Sequence, residues 1–263
     1  DENNSNFTFY EANVNSLDQI SEIMQSKKFD IVFHYAAVVG VERTLNNPIM
    51  VLDDVDGMKN ILNLSIKNGV KRFFFSSSSE VYGEPVELPQ HEKNTPLNAR
   101  LPYAIVKNLC EAYCRTYKQV FDLDYTIMRF FNTYGPLQSN DFVITRFINQ
   151  ALNNEDLTIN GDGHQTRTFL YVDDNVDFIM KLIDTSAYQN DTVNIGSSEQ
   201  ISILNLANLV KNITGSQSNI IHLPPLKEGD MMQRQPDISK MNKVFSKDLI
   251  SLESGITKYL KVL

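Results

Sequence analysis

Arg72-Phe73-Phe74-Phe75-Ser76-Ser77-Ser78-Ser79-Glu80-Val81-Tyr82-Gly83 runs from an unbroken apolar stretch straight into hydroxyls and a single acid. A strand that is apolar on both faces belongs to a sheet covered on both faces, the usual condition of a parallel sheet. The pattern continues outward in both directions. Upstream, Asp30-Ile31-Val32-Phe33-His34-Tyr35 reads as a second buried strand. A helix over about Ile49–Asn68 follows and stops at Gly69, a residue suited to the left-handed position after a helix. Downstream lie a helix over about Pro102–Phe121, a strand over Tyr125–Phe130 and a helix over Phe142–Asn154. Nearer the start, Phe7–Tyr10 reads as a short strand. Ser16-Leu17-Asp18-Gln19 reads as a capping box, opening a helix whose apolar face is Leu17, Ile20, Ile23 and Met24.

Strands joined by helical crossovers predict a doubly wound α/β fold, in which ligands bind beyond the carboxyl ends of the strands. Ala36-Ala37, Ser76–Glu80 and Asn132–Gly135 fall at those ends. The last third is different in character. Turn-rich segments (Asn160-Gly161-Asp162-Gly163, Pro224-Pro225, Lys227-Glu228-Gly229-Asp230) separate short helices at about Asp174–Asp184, Ile203–Thr214 and Leu252–Tyr259. This predicts a smaller α/β lobe over the sheet's ligand edge, the sheet unit taking residues 1–133 and 168–198 and the lobe 134–167 and 199–263.

The 263 residues carry 24 Lys and Arg against 32 Asp and Glu, a net charge of −8, which argues against nucleic acid or an anionic membrane as partner. No stretch approaches the ~18 apolar residues of a membrane span, and the acidic, Asn-rich start is unlike a signal peptide. Cys110 and Cys114, four apart in a helical pattern, read as reduced core residues. His34, His91, His164 and His222 are scattered in the sequence and predict no metal site. A cytoplasmic protein is expected.

Tyr103-Ala104-Ile105-Val106-Lys107 puts a phenol and an ammonium one helical turn apart on one face. A lysine charge at ~4 Å would favour the phenolate by up to about 4 kcal/mol at an effective dielectric of ~20, roughly three pKa units. Such a tyrosine can act as a general base near neutrality. A serine hydroxyl from Ser76–Ser79, at the end of the preceding strand, can share a substrate oxygen with it.

With these residues in order, the chain resembles an extended short-chain dehydrogenase/reductase of the nucleotide-sugar epimerase/dehydratase/decarboxylase family. The motifs that carry the resemblance are Ser76–Gly83, Tyr103-x-x-x-Lys107, Arg129-Phe130-Phe131-Asn132-Thr133-Tyr134-Gly135-Pro136, Gly161–Phe169 and Arg234-Gln235-Pro236-Asp237-Ile238-Ser239-Lys240, spread over nearly the whole chain. It implies a Rossmann-like fold holding NAD, a nucleotide-diphosphate sugar as substrate, and a homodimer built on the helices at about Ile49–Asn68 and Pro102–Phe121. It implies Tyr103 as base for the sugar C4 hydroxyl, Ser78 orienting that oxygen, and Lys107 on the nicotinamide ribose, lowering the phenol's pKa. Asn13, Ala36, Ala37, Ser76 and Phe130 would line the cofactor. Asn132, Arg167 and Arg234 would contact the substrate, Arg167 at its diphosphate.

Two departures stand out. The glycine-rich turn that cradles a pyrophosphate is absent, no glycine preceding Gly40. By comparison with the family's βαβ unit roughly the first 45 residues are missing, so weak NAD binding is expected of the chain as given. Asp53-Asp54-Val55-Asp56-Gly57 also stands where relatives often carry Asn. Glu80 points to the reaction, because dehydratases and decarboxylases of the family carry Glu after the Ser/Thr. A carboxylate near C5 can take a proton made acidic by a C4 ketone. The Gln165-Thr166-Arg167 and Arg234-x-Pro236-Asp237 segments lean towards UDP-glucuronate decarboxylases, whereas Pro96-Leu97-Asn98-Ala99-Arg100 reads more like epimerases and dehydratases. A lyase outcome is the expectation, a 4-epimerase the alternative and a non-catalytic dinucleotide-binding relative the third reading.

Overall fold

The computed structural model describes residue 4 and residues 6–225 and 231–263, so the turn expected at Lys227–Asp230 lies outside the described residues. In chain order the first half contains α1 (Leu17–Ser26), β1 (Ile31–His34), α2 (Val41–Asn46), α3 (Pro48–Lys67), β2 (Arg72–Ser78), a 3-10 turn over Ser79–Tyr82, α4 (Pro102–Phe121) and β3 (Asp124–Phe130). Then follow β4 (Thr133–Tyr134), α5 (Val143–Leu152), β5 (Leu157–Asn160), β6 (Thr166–Thr168), β7 (Leu170–Tyr171) and α6 (Val172–Asp184). The chain closes with β8 (Asp191–Ile195), β9 (Gln200–Ser202), α7 (Ile203–Thr214), β10 (Ile220–Leu223), α8 (Ser239–Val244) and α9 (Leu252–Leu260).

Strands β1, β2, β3 and β8, in that order, form a parallel sheet. The Phe73-Phe74-Phe75 run explains how it is covered. Successive side chains of a strand point to opposite faces. Phe73 and Phe75 accordingly join the core made with α3 and α4 (Met58, Leu62, Val106, Cys110), while Phe74 joins Phe178 of α6 and Met241 of α8. The sheet is therefore doubly wound. Its register sets Ser76 beside Met128 and Ser78 beside Phe130, so the serines end level with the last residue of β3.

A second core unites Phe147 and Ile148 of α5, Leu157 and Ile159 of β5, Leu206 and Val210 of α7, and Ile256 and Tyr259 of α9. Here β5 pairs parallel with β10, and β6 antiparallel with β9. Although it lies beyond residue 199, α8 turns back onto the sheet, where Met241 and Phe245 pack in the sheet-side core.

Two local expectations are corrected. Phe7–Tyr10 forms no strand: among the described residues β1 pairs with β2 alone, Phe7 and Phe9 stay exposed, and the Phe7 N–H turns back to the Asn4 carbonyl. Nor does Ser16 close a capping box. The Gln19 amide oxygen instead accepts from the Asn13 N–H at 2.8 Å. The 13–15 segment is strapped along α3, where Asn60 donates to the Val14 and Asn15 carbonyls. Gly57 makes that approach possible, since a Cβ there would lie 2.4 Å from Asn15 Oδ1.

Candidate functional site

Ser78 ends β2 and caps the following 3-10 turn, its Oγ accepting from the Glu80 N–H at 3.2 Å. This cap turns the chain sharply and keeps Ser78 and Glu80 at the sheet's carboxyl edge. Helix α4 arrives at the same edge with Pro102 in its first turn, where a missing N–H costs nothing, and Tyr103 beside it. About two turns along, the wholly buried Glu111 fixes the height of the helix against the sheet. It accepts from Ser77 Oγ (2.7 Å) and, through both oxygens, from Arg129 Nε (2.8 Å) and Nη2 (2.7 Å). Burial alone would raise this carboxyl, but the Arg129 guanidinium, Ser77 and Arg115 outweigh it and hold it low.

Lys107 is buried on the inner face of α4 and donates to the Ser76 carbonyl at 2.8 Å. Burial pulls its pKa down to about 8. Its Nζ lies 5.7 Å from the centre of the Tyr103 ring and 5.1 Å from that of Phe75. The Tyr103 phenol is pushed up, not down as the Tyr–Lys spacing predicts. Burial is the main cause and the Glu80 charge the next, while a hydrogen bond with Ser78 and the Arg234 charge favour the phenolate. The expectation fails because burial and the Glu80 charge outweigh every group that favours the phenolate.

Glu80 faces Arg234, with Oε1 3.6 Å from Nη1. Arg234 is only 6% exposed, and its Nε donates to Met231 Sδ at 3.4 Å. Arg167 is buried on β6 with Nη1 on the Thr166 carbonyl at 2.8 Å. A bridge between Thr166 and Gln233 sets the two arginines on neighbouring segments. Asn132 takes a left-handed conformation (φ 41°), which Asn tolerates better than most residues, and its amide donates to the Thr168 carbonyl at 2.9 Å. Phe130 ends β3 opposite Ser78 and packs 5.9 Å from Tyr35.

The structure thus gathers Ser76, Ser78, Glu80, Tyr103, Lys107 and Arg234 at one edge, with Phe130 alongside. Among the described residues no hydrogen bond or ion pair joins Asn13, Ala36 or Ala37 to this group. Asn13 is exposed with its Oδ1 on the Asn15 N–H (2.9 Å); Ala36 is exposed and Ala37 half-buried beyond the end of β1. Asp54 is an additional member. Its Oδ2 accepts from the Val38 N–H at 2.9 Å, binding α3 to the loop after β1, and its charge acts on Lys107. Burial raises this carboxyl. The signal was in the sequence: Asp54 falls between Val51 and Met58, both buried, in an otherwise apolar helix row.

The family model described as "NAD dependent epimerase/dehydratase family" matches residues 1–196. A Bacillus cytotoxicus UDP-N-acetyl-alpha-D-glucosaminuronate decarboxylase is 36% identical over 245 residues, covering 88% of this chain and 75% of that protein. A Bacillus subtilis protein described as an uncharacterized UDP-glucose epimerase, YtcB, is 32% identical over 260 residues, covering 98% of this chain and 80% of that one. Among solved structures, the Thermotoga maritima UDP-glucose 4-epimerase with UDP-glucose superposes with a TM-score of 0.92 at 31% identity, over 98% of this chain and 84% of its own.

Proposed function

The chain belongs to the NAD-dependent epimerase/dehydratase family, and from that premise we propose that it binds NAD and remodels a nucleotide-diphosphate sugar through a 4-ketone, with a lyase outcome. The sheet's carboxyl edge suits the nicotinamide end of NAD. An ammonium has three N–H donors and the Ser76 carbonyl takes one, leaving Lys107 a buried charged donor for a ribose diol. Ala36 and Ala37 keep the backbone approachable, and Phe130 offers a flat apolar wall. NAD, when bound, supplies the acceptor for the C4 hydride and its later return.

The chain's own residues handle protons and position. Tyr103 takes the C4 hydroxyl proton and Ser78 holds that oxygen; Ser78 and Arg234 favour the phenolate that this requires. Arg167 meets the diphosphate as a planar fork and Asn132 the sugar. The lyase outcome rests on one observation, a Glu80 carboxylate that lies 3.6 Å from the Arg234 guanidinium and whose charge also acts on the Tyr103 phenol. In dehydration Glu80 takes the C5 proton, the electron pair forms the new C5–C6 double bond, and the C6 hydroxyl leaves as water after protonation by Ser79, Glu80 or solvent. In decarboxylation the C5–carboxylate bond breaks, the C4 ketone accepts the electron pair, and Arg234 holds the carboxylate beforehand. The 4-epimerase reading is favoured by the same pair in another way, since a carboxylate held by a guanidinium is a weaker base. Cofactor residues would come from 1–133 and 168–198; the lobe of 134–167 and 199–263 would add Arg167 and Arg234 to the substrate contacts that Ser78, Glu80, Tyr103 and Asn132 make from the sheet unit.

A homodimer through α3 and α4 is part of the proposal. Ile105, Leu109 and Phe121 stand exposed along α4 with Tyr113 and Tyr117 half-buried between them against the α3–α4 core, and Ile49, Met50 and Leu52 stand exposed on α3.

Product mass decides the outcome. The protein, incubated with UDP-, GDP- and dTDP-sugars, is expected to give a product lighter by about 18 Da for dehydration or about 44 Da for decarboxylation. An isobaric product would establish the epimerase reading, and absence of any turnover with NAD bound would leave a non-catalytic relative.

A further inference from the structure

We propose that His91, Glu92 and Asp237 bind one first-row divalent cation, zinc or manganese, at the seam between the 88–98 loop and the 233–238 segment. The sequence places Asp237 far from the other two, yet the fold brings one donor atom from each within 4.8 Å of one another. The backbone imposes this proximity. Gln90 and Pro236 are bridged, the Gln90 N–H donates to the Gln235 carbonyl at 2.7 Å, and the Asp237 N–H donates to the Gln90 carbonyl at 2.8 Å.

Glu92 supplies the independent sign of a ligand. It is 8% exposed, and Oε1 accepts from the Asn194 N–H at 2.9 Å, but Oε2 is buried with no partner. A buried carboxylate oxygen left bare is costly, and no side-chain cation pairs with Glu92 among the described residues. Asp237 Oδ1 accepts from the Ser239 N–H (2.8 Å), and the Ser239 side chain bonds the same carboxylate. His91 and Lys243 both act on the Asp237 carboxylate, and of the His91 ring nitrogens Nδ1 accepts from the Lys93 N–H at 3.2 Å.

Donors held about 2.1 Å from a tetrahedral zinc lie about 3.4 Å apart, so from a separation of up to 4.8 Å side-chain torsions need to close up to about 1.4 Å. One imidazole and two carboxylates suit zinc or manganese better than calcium or magnesium, which prefer oxygen alone. Such an ion would rivet the loop to the segment that carries Arg234. The inference does not depend on which sugar reaction the enzyme performs.

The test is equilibrium dialysis of chelator-stripped protein against zinc or manganese, read by elemental analysis, with the melting temperature as a second readout. Wild type should take up one equivalent and melt higher with metal, because a ligand of the folded state alone stabilises it. His91→Ala and Asp237→Asn should bind at least about tenfold more weakly, and the melting shift should vanish. Both replace side chains that are not fully buried; Glu92→Gln, which keeps the acceptor for Asn194, serves if either unfolds. His222→Ala should change nothing. Less than about a tenth of an equivalent at about 0.1 mM free metal, or undiminished binding in the His91 and Asp237 variants, would overturn the proposal.

Discussion

Glu80 Oε1 lies 3.6 Å from Arg234 Nη1, and the two charges act on Tyr103 in opposite senses, the carboxylate raising the phenol's pKa and the guanidinium lowering it. The proposed base and the proposed acid–base residue therefore belong to one electrostatic unit with Arg234, contributed by the turn after β2, α4 and the segment before α8.

Glu80→Gln should separate the two chemical stages. Oxidation at C4 should survive, whereas loss of water or carbon dioxide should fall by roughly 10²–10⁴-fold, the usual contribution of a positioned acid or base. With the acidic charge gone the phenol ionises more easily, so the rising limb of the pH–rate profile for C4 oxidation should move to lower pH. Parallel loss of both stages, or a limb moved to higher pH, would count against the assignment of Glu80.

Tyr103→Phe removes only the hydroxyl of a partly buried ring. Stability should change little, while turnover should drop by about 10²–10⁴-fold with nucleotide-sugar binding retained. Melting curves and a substrate-binding isotherm check the fold and the site independently of rate.

Lys107→Met keeps the volume but deletes the donor and its charge. NAD affinity should fall by more than about tenfold, which calorimetry can measure, roughly 1.4 kcal/mol. The folded-state pKa of about 8 lies below the ordinary 10.5, so wild type should gain stability relative to the variant as pH rises through that window.

His34, buried between the rings of Phe73 and Phe75, has its pKa lowered to about 3, by burial first and then by the Lys107 charge. Its folded value is depressed below 6.5, so the unfolded chain takes up the proton first. Stability should be intact above about pH 6.5 and fall by up to ~1.4 kcal/mol per pH unit below it. His34→Leu should flatten this slope in acid denaturation series.

Glu111 and Arg129 hold α4 against β2 and β3. Glu111→Gln alone should destabilise by about 3–5 kcal/mol, because it leaves a buried guanidinium unpaired. Pairing Glu111→Leu with Arg129→Met should restore much of that loss in chemical denaturation, since the buried charge is then gone.

Whereas β8, mixed in polarity over Asp191–Ile195, was not expected, most of the sheet was legible: β2 and β3 begin within a residue or so of the expected positions, and α4 and α7 match theirs. The strand expected at Phe7–Tyr10 was not, since alternating aromatics cannot announce whether a partner strand is present. Short pairings such as β6 with β9 depend on where the lobe folds back, information that no local window contains. The site divides the same way. Ser78, Tyr103 and Lys107 stand in recognisable spacing, but the upward push on the phenol depends on burial and on the fold placing Glu80 near Arg234. His91, Glu92 and Asp237 were invisible as a group because 145 positions separate Glu92 from Asp237.

The most direct measurement is a single turnover with a nucleotide sugar carrying deuterium at C4. Wild type should show reduced nicotinamide forming transiently, more slowly with deuterium than with hydrogen, and Tyr103→Phe should show almost none. Product formed with no reduced nicotinamide and no isotope effect would contradict C4 oxidation by the Tyr103 site.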